Sequence, residues 1–218
     1  MKLFAVITLF TALVAGAPLD MENLETRQSS TSTDLERGSS SNCPSAILIF
    51  ARGSTEIGNM GSSVGPALSG ALSQKVRGIW VQGVGGPYDA ALGDNALPRG
   101  SSSRAIAEGV RLFKLAKSKC PNASVVAGGY SQGAALIAAA ITDLDSSTRD
   151  QVKGAALFGY TQNQQNNGRI PNYPADRTKV YCAVGDLVCE GLLIVAPAHL
   201  TYNDEARGEA ADFLASKV

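Results

Sequence analysis

Histidine occurs once among the 218 residues and tryptophan once. A single imidazole excludes zinc sites built on paired histidines, and the four cysteines have spacings that match no structural zinc pattern. Charge of one sign is also missing in excess. Nineteen basic residues balance nineteen acidic ones, and no basic cluster is present to track a phosphate backbone, so no nucleic-acid partner is expected. The apolar run Leu3 to Val14 is too short to cross a bilayer, so no integral membrane span is expected. The glycines of "GVGG" at Gly83 fail the dinucleotide pattern because position 88 is tyrosine, and no phosphate-binding lysine follows them. No internal repeat is evident. Neither a metal nor a cofactor is expected.

The chain ends differ from the middle. Lys2, the apolar stretch Leu3 to Val14 and the small residues Ala15-Gly-Ala17 read as a secretory signal over residues 1–17. Residues 18–42 are rich in serine, threonine and charge with few large apolar side chains. They read as a pro-segment and flexible leader, with Arg27 as a candidate processing site. Residues 43–218 are enough for one domain with a substantial core. In a secreted chain the four cysteines read as two disulfides. Asn122-Ala-Ser124 is a glycosylation acceptor pattern.

Apolar runs of strand length lie at residues 46–51, 79–84, 125–128, 155–158 and 179–184, and helix-like segments at 64–76, 104–119, 134–144 and 204–216. Their alternation predicts an α/β protein, a three-layer α/β/α sandwich with a five-stranded parallel sheet. Ligands in such sheets collect at the carboxyl ends of the strands, so the segments after the strands are the candidates for chemistry.

One of these is "GGYSQG" at Gly128, between an apolar strand and a small-residue helix. Gly129-x-Ser131-x-Gly133 in that context is the pattern of a nucleophile elbow, a turn so tight that the serine takes strained backbone angles and flanking glycines prevent clashes. The plainer alternative is a helix N-cap, for which serine is favoured. A serine hydroxyl needs a base, and His199 is the sole histidine. It lies beyond the last strand and downstream of Asp186, so the order is serine, aspartate, histidine, as in α/β-hydrolases. Asp204 is a substitute for Asp186, although it falls where a helix cap is expected. Four cysteines allow three pairings. Cys43 and Cys120 both precede strands, at the edge of the sheet opposite the catalytic one, whereas Cys182 and Cys189 flank Asp186. The expected bridges are therefore Cys43 with Cys120 and Cys182 with Cys189.

The stretches "ARGSTE" at Ala51, "QGVGG" at Gln82, "LGDNALPRG" at Leu92, "GGYSQGAA" at Gly128, "LFGYT" at Leu157, "GRIPNYPADRTKV" at Gly168 and "GDLVC" at Gly185 together resemble the fungal cutinases, serine esterases that hydrolyse plant cutin. The resemblance covers nearly everything from Cys43 to the C-terminal helix. It implies a small lidless α/β-hydrolase with Ser131, Asp186 and His199 as its triad. It also implies an oxyanion hole from the Ser54 and Gln132 amides, with the Ser54 hydroxyl as a further donor and Asn95 steadying it. One departure is visible. Cutinases place proline immediately before the catalytic histidine, whereas this chain reads Ala196-Pro197-Ala198-His199, which puts the mobility of the histidine loop in question.

Leu193, Val195 and Leu200 lie near His199, with Leu92 facing them from the second loop; they either form an apolar rim or plug the core. No insertion is long enough to form a lid. The expected partners are cutin or other insoluble polyesters and soluble esters, and a monomer is expected. Acetylxylan esterase, of the same fold and triad, is the alternative enzyme. A non-catalytic surface-adhesion protein is the alternative from another class, and an intact triad argues against it.

Overall fold

The computed structural model describes residues 29–218; the expected signal at 1–17 and the first part of the expected leader, 18–28, lie outside the described residues. Five parallel strands make one sheet: β1 Ala46–Ala51, β2 Trp80–Gly83, β3 Ser124–Tyr130, β4 Val152–Phe158 and β5 Thr178–Tyr181, in the order β2-β1-β3-β4-β5. Every residue of β1 is buried, as a strand covered on both faces requires. Its side chains alternate with period two. Ile47 and Ile49 face one apolar layer, and Leu48 and Phe50 face the other.

Helices fill both layers. The first holds α3 Ser103–Lys119 and α4 Gln132–Thr142, the second α2 Val64–Lys75 and the C-terminal helix. That last helix begins as α over Asn203–Glu205, widens to a π-turn at Ala206–Ala210 and ends as α over Ala211–Ala215; Ala206, Ala210 and Ala211 are buried in the layer shared with α2. Gly128 lets α2 come close, because a Cβ there would sit 2.9 Å from Leu68 Cδ2. The expected three-layer sandwich is thus the observed one. Among the described residues no helix is long and apolar enough to cross a membrane.

Two local expectations are corrected, and one further helix is present. Residues 29–42, where the composition predicts a flexible leader, are folded onto the domain. Leu35 in the short α1 Asp34–Arg37 is fully buried, Asp34 Oδ2 accepts from Val81 N at 2.9 Å, Gly83 N donates to Ser32 O at 2.9 Å, and Lys119 Nζ binds the carbonyls of Leu35, Glu36 and Gly38. This strap covers the outer edge of β2, mostly through backbone bonds that composition cannot reveal. The fifth strand ends at Tyr181, not 184; Val184 is fully exposed because the chain turns away within the Cys182–Cys189 bridge. An unexpected helix α5, Ser146–Gln151, is capped by Asp145, whose carboxylate accepts from Thr148 N at 3.0 Å.

The disulfides pair Cys43 with Cys120 and Cys182 with Cys189, the pairing expected. The first ties the segments entering the adjacent strands β1 and β3, at the foot of the sheet. The exposed Asn122 lies beside it, at the opposite end of β3 from Ser131.

Candidate active site

Between β1 and β3 the direction of winding reverses, and a cleft forms beyond the carboxyl ends of those strands in sheets of this order. Ser131 stands there, with φ 55° and ψ −120°. Positive φ is strained for a residue with a Cβ, and it persists only where the surroundings enforce it. Here Ser131 N donates to Phe158 O at 2.8 Å and Ala134 N to Ser131 O at 3.0 Å. The flanking glycines are steric necessities: a Cβ on Gly129 would lie 2.5 Å from Gly133 O, and one on Gly133 only 2.1 Å from Ala51 O. Although Ser131 occupies the N-cap of α4, its side chain makes no capping bond. Its Oγ instead meets His199 Nε2 at 2.9 Å.

The imidazole is buried at 2% exposure, and its Nδ1 bonds Asp186 Oδ2 at 2.8 Å. Pro197 opens a 3-10 turn, Pro197–Leu200, in which His199 N donates to Ala196 O at 2.9 Å, so the displaced proline starts the turn that carries the ring. Gly159 makes room for it, since a Cβ there would lie 2.6 Å from His199 Cε1. Tyr130 stacks its ring on the imidazole at 5.3 Å between centroids and donates its hydroxyl to His199 O at 2.8 Å. Asp186 is 1% exposed, and Val188 N donates to its Oδ1 at 3.0 Å. Asp204 stands apart, exposed beside Arg207 on the C-terminal helix.

Ser54 is carried by the loop after β1. Glu56 organises that loop, its carboxylate accepting from Gly53 N at 2.8 Å, Ser62 N at 3.0 Å and Ser63 N at 3.1 Å. Asn95 Nδ2 donates to Ser54 Oγ at 2.8 Å, which leaves the serine proton free to point elsewhere. Gln132 opens α4, so its N–H has no carbonyl one turn back to bind. Its fully buried side chain ties down the second loop through Nε2 to Ala91 O at 2.7 Å.

Ser54, Asn95, Ser131 and His199 border a cleft of about 420 Å³, together with Leu92, Leu193, Val195 and Leu200. Those four apolar side chains are 65%, 52%, 59% and 64% exposed, so they rim the cleft and do not plug the core. Sequence reasoning had assigned no role to Tyr130, Gly159 or Tyr202. Tyr130 and Gly159 lie within the sequence motifs around Ser131 and Leu157, but only the fold shows what they touch.

The strand order and the strained serine turn define an α/β-hydrolase. The Cutinase family profile matches residues 42–218. A cutinase from Fusarium solani subsp. cucurbitae is 56% identical over 224 residues, spanning 100% of this chain and 97% of that one. Among solved structures, Trichoderma reesei cutinase in complex with a phosphonate inhibitor superposes with a TM-score of 0.73 at 30% identity, covering 87% of this chain and 80% of that one. An acetyl xylan esterase superposes with a TM-score of 0.65 at 23% identity over 81% of this chain and 99% of that one, a likeness of fold alone. The chain belongs to the cutinase family and is a carboxylic ester hydrolase.

Proposed function

We propose that the protein is a secreted cutinase, a monomeric serine esterase whose catalytic body, residues 43–218 with the strap before it, hydrolyses cutin, related lipid polyesters and soluble esters. The observation that carries this reading is the continuous hydrogen-bonded chain Ser131 Oγ, His199 Nε2, His199 Nδ1, Asp186 Oδ2 at 2.9 and 2.8 Å, opening into a cleft with exposed apolar walls. His199 takes the Ser131 proton as Oγ attacks the ester carbonyl. The amides of Ser54 and Gln132, with the Ser54 hydroxyl, stabilise the oxyanion, and Asn95 keeps that hydroxyl aimed. Collapse expels the alcohol, which leaves with the proton from His199, and the acyl group stays on Ser131. Water, deprotonated by His199, then attacks the acyl-enzyme; the carboxylic acid departs and Ser131 regains its proton.

Secretion is supported by the N-terminal signal pattern and by two disulfides, which persist in oxidising compartments. Attack on a waxy solid is supported by the rim: apolar side chains around an accessible serine gain by contact with an apolar surface. Hydrolysis rates across p-nitrophenyl esters of about two to sixteen carbons, beside release of monomers from cutin, test the reading. Monomer release together with turnover of esters from butyrate upward is expected. Activity confined to acetyl esters, with none on cutin, would make it an acetyl esterase instead.

A further inference from the structure

Three residues beyond His199, Tyr202 is buried at 1% exposure. Its hydroxyl donates to Asp186 Oδ2, the same oxygen that faces His199 Nδ1. A phenol has one proton, and Ala183 N already donates to its oxygen at 3.0 Å, so the proton is committed to the carboxylate. Its ring also packs edge-on against Tyr130, Phe158 and His199 at 6.1 to 6.2 Å. Phenylalanine would pack as well; only the oxygen engages polar partners.

Resting on the triad reading above, we propose that Tyr202 is a positioning residue whose hydroxyl tempers the charge of Asp186, thereby setting how strongly the aspartate stabilises protonated His199. Once the Ser131 proton reaches Nε2, the imidazolium faces a carboxylate that is shut off from water. A third donor spreads the charge of that carboxylate, which favours release of the proton to the leaving alcohol. The groups facing this cluster are Asp186 and Ala183 of the loop, His199, and Tyr130 of β3, with Tyr181 of β5 stacked on Phe158 behind it; Glu56 acts on Tyr130, and Glu205 and Glu209 on Tyr181, through their charge. Burial holds all three tyrosines above the ordinary phenol range, Tyr181 at about 12 and Tyr202 further raised by Asp186, so they stay protonated wherever an imidazole titrates.

Tyr202→Phe tests this through the sign of a pH shift. With the donor gone, Asp186 holds the imidazolium more tightly, so the acid limb of kcat/KM moves to higher pH by roughly 0.5 to 1 unit, and plateau kcat falls roughly tenfold with KM unchanged. If Tyr202 only braced the loop, its loss would loosen Asp186 from His199 and the limb would stay or move down, which would overturn the inference. Replacing Tyr202 by 3-fluorotyrosine, a stronger donor, is the second arm: the limb should move to lower pH, and an unmoved limb counts against the inference. Fluorophosphonate labelling of Ser131 in the unchanged protein separates the two readings. No label there sinks the triad and this inference with it; label with unmoved limbs in both variants sinks the role of Tyr202 alone.

Discussion

The two disulfides sit at opposite ends of one sheet. At the foot, Cys43–Cys120 joins the segments feeding adjacent strands across 77 residues; at the mouth, Cys182–Cys189 spans seven and encloses Asp186. Chain-entropy arithmetic gives roughly 4.5 kcal/mol for the first loop and roughly 2.5 for the second. The foot therefore constrains the unfolded chain more, whereas the small bridge constrains the native loop from which Asp186 reaches His199. A similar contrast separates the two halves of the site. Ser131 is fixed by backbone sterics at the centre of the sheet, whereas Asp186 and His199 are fixed by individual bonds on an irregular loop beyond its edge.

The sharpest test of this division removes chemistry at the mouth and leaves the foot untouched. His199→Ala should lower kcat by on the order of 10⁶ while the melting temperature stays near that of the parent; activity within tenfold of the parent would break the assignment. Ser54→Ala, affecting one proposed oxyanion donor, should cost roughly 10² to 10³ in kcat with little change in KM. A raised KM with kcat intact would make Ser54 a binding residue only. Replacing each cysteine pair by serine compares the two ends directly. Loss of Cys182 and Cys189 should cut kcat by roughly tenfold, the penalty of a slackened Asp186, with the smaller loss of stability; loss of Cys43 and Cys120 should do the reverse. Denaturant melts beside steady-state rates measure both, and equal effects would erase the contrast. The smallest effect is expected at the rim. Leu193→Ser with Val195→Ser should weaken attack on solid polyester by several-fold more than attack on a soluble butyrate ester, since only the solid needs apolar contact around the cleft.

How much was legible in the sequence follows the same division. The strands announce themselves because a strand covered on both faces must be apolar throughout, and Ser131 is marked because its turn tolerates only glycine at 129 and 133. His199 stands out by scarcity, and Asp186 by its place after the last strand. What escaped notice is held by backbone bonds or by pairings between distant side chains. The strap at 29–42 buries a single leucine and otherwise presents serines, threonines and charges, so its composition reads as disorder although its backbone completes the edge of β2. Tyr202 looks like any aromatic residue entering a helix until the loop folds back and brings Asp186 onto its hydroxyl.

The central claim is that Ser131 is a nucleophile activated by His199. Treating the native protein with a fluorophosphonate and mapping its peptides by mass spectrometry tests this most directly. The account predicts one adduct, on Ser131, formed rapidly in the parent and at least a thousandfold more slowly in His199→Ala, because the hydroxyl then keeps its proton. An adduct on another serine, or labelling of Ser131 at the same rate without His199, would contradict it.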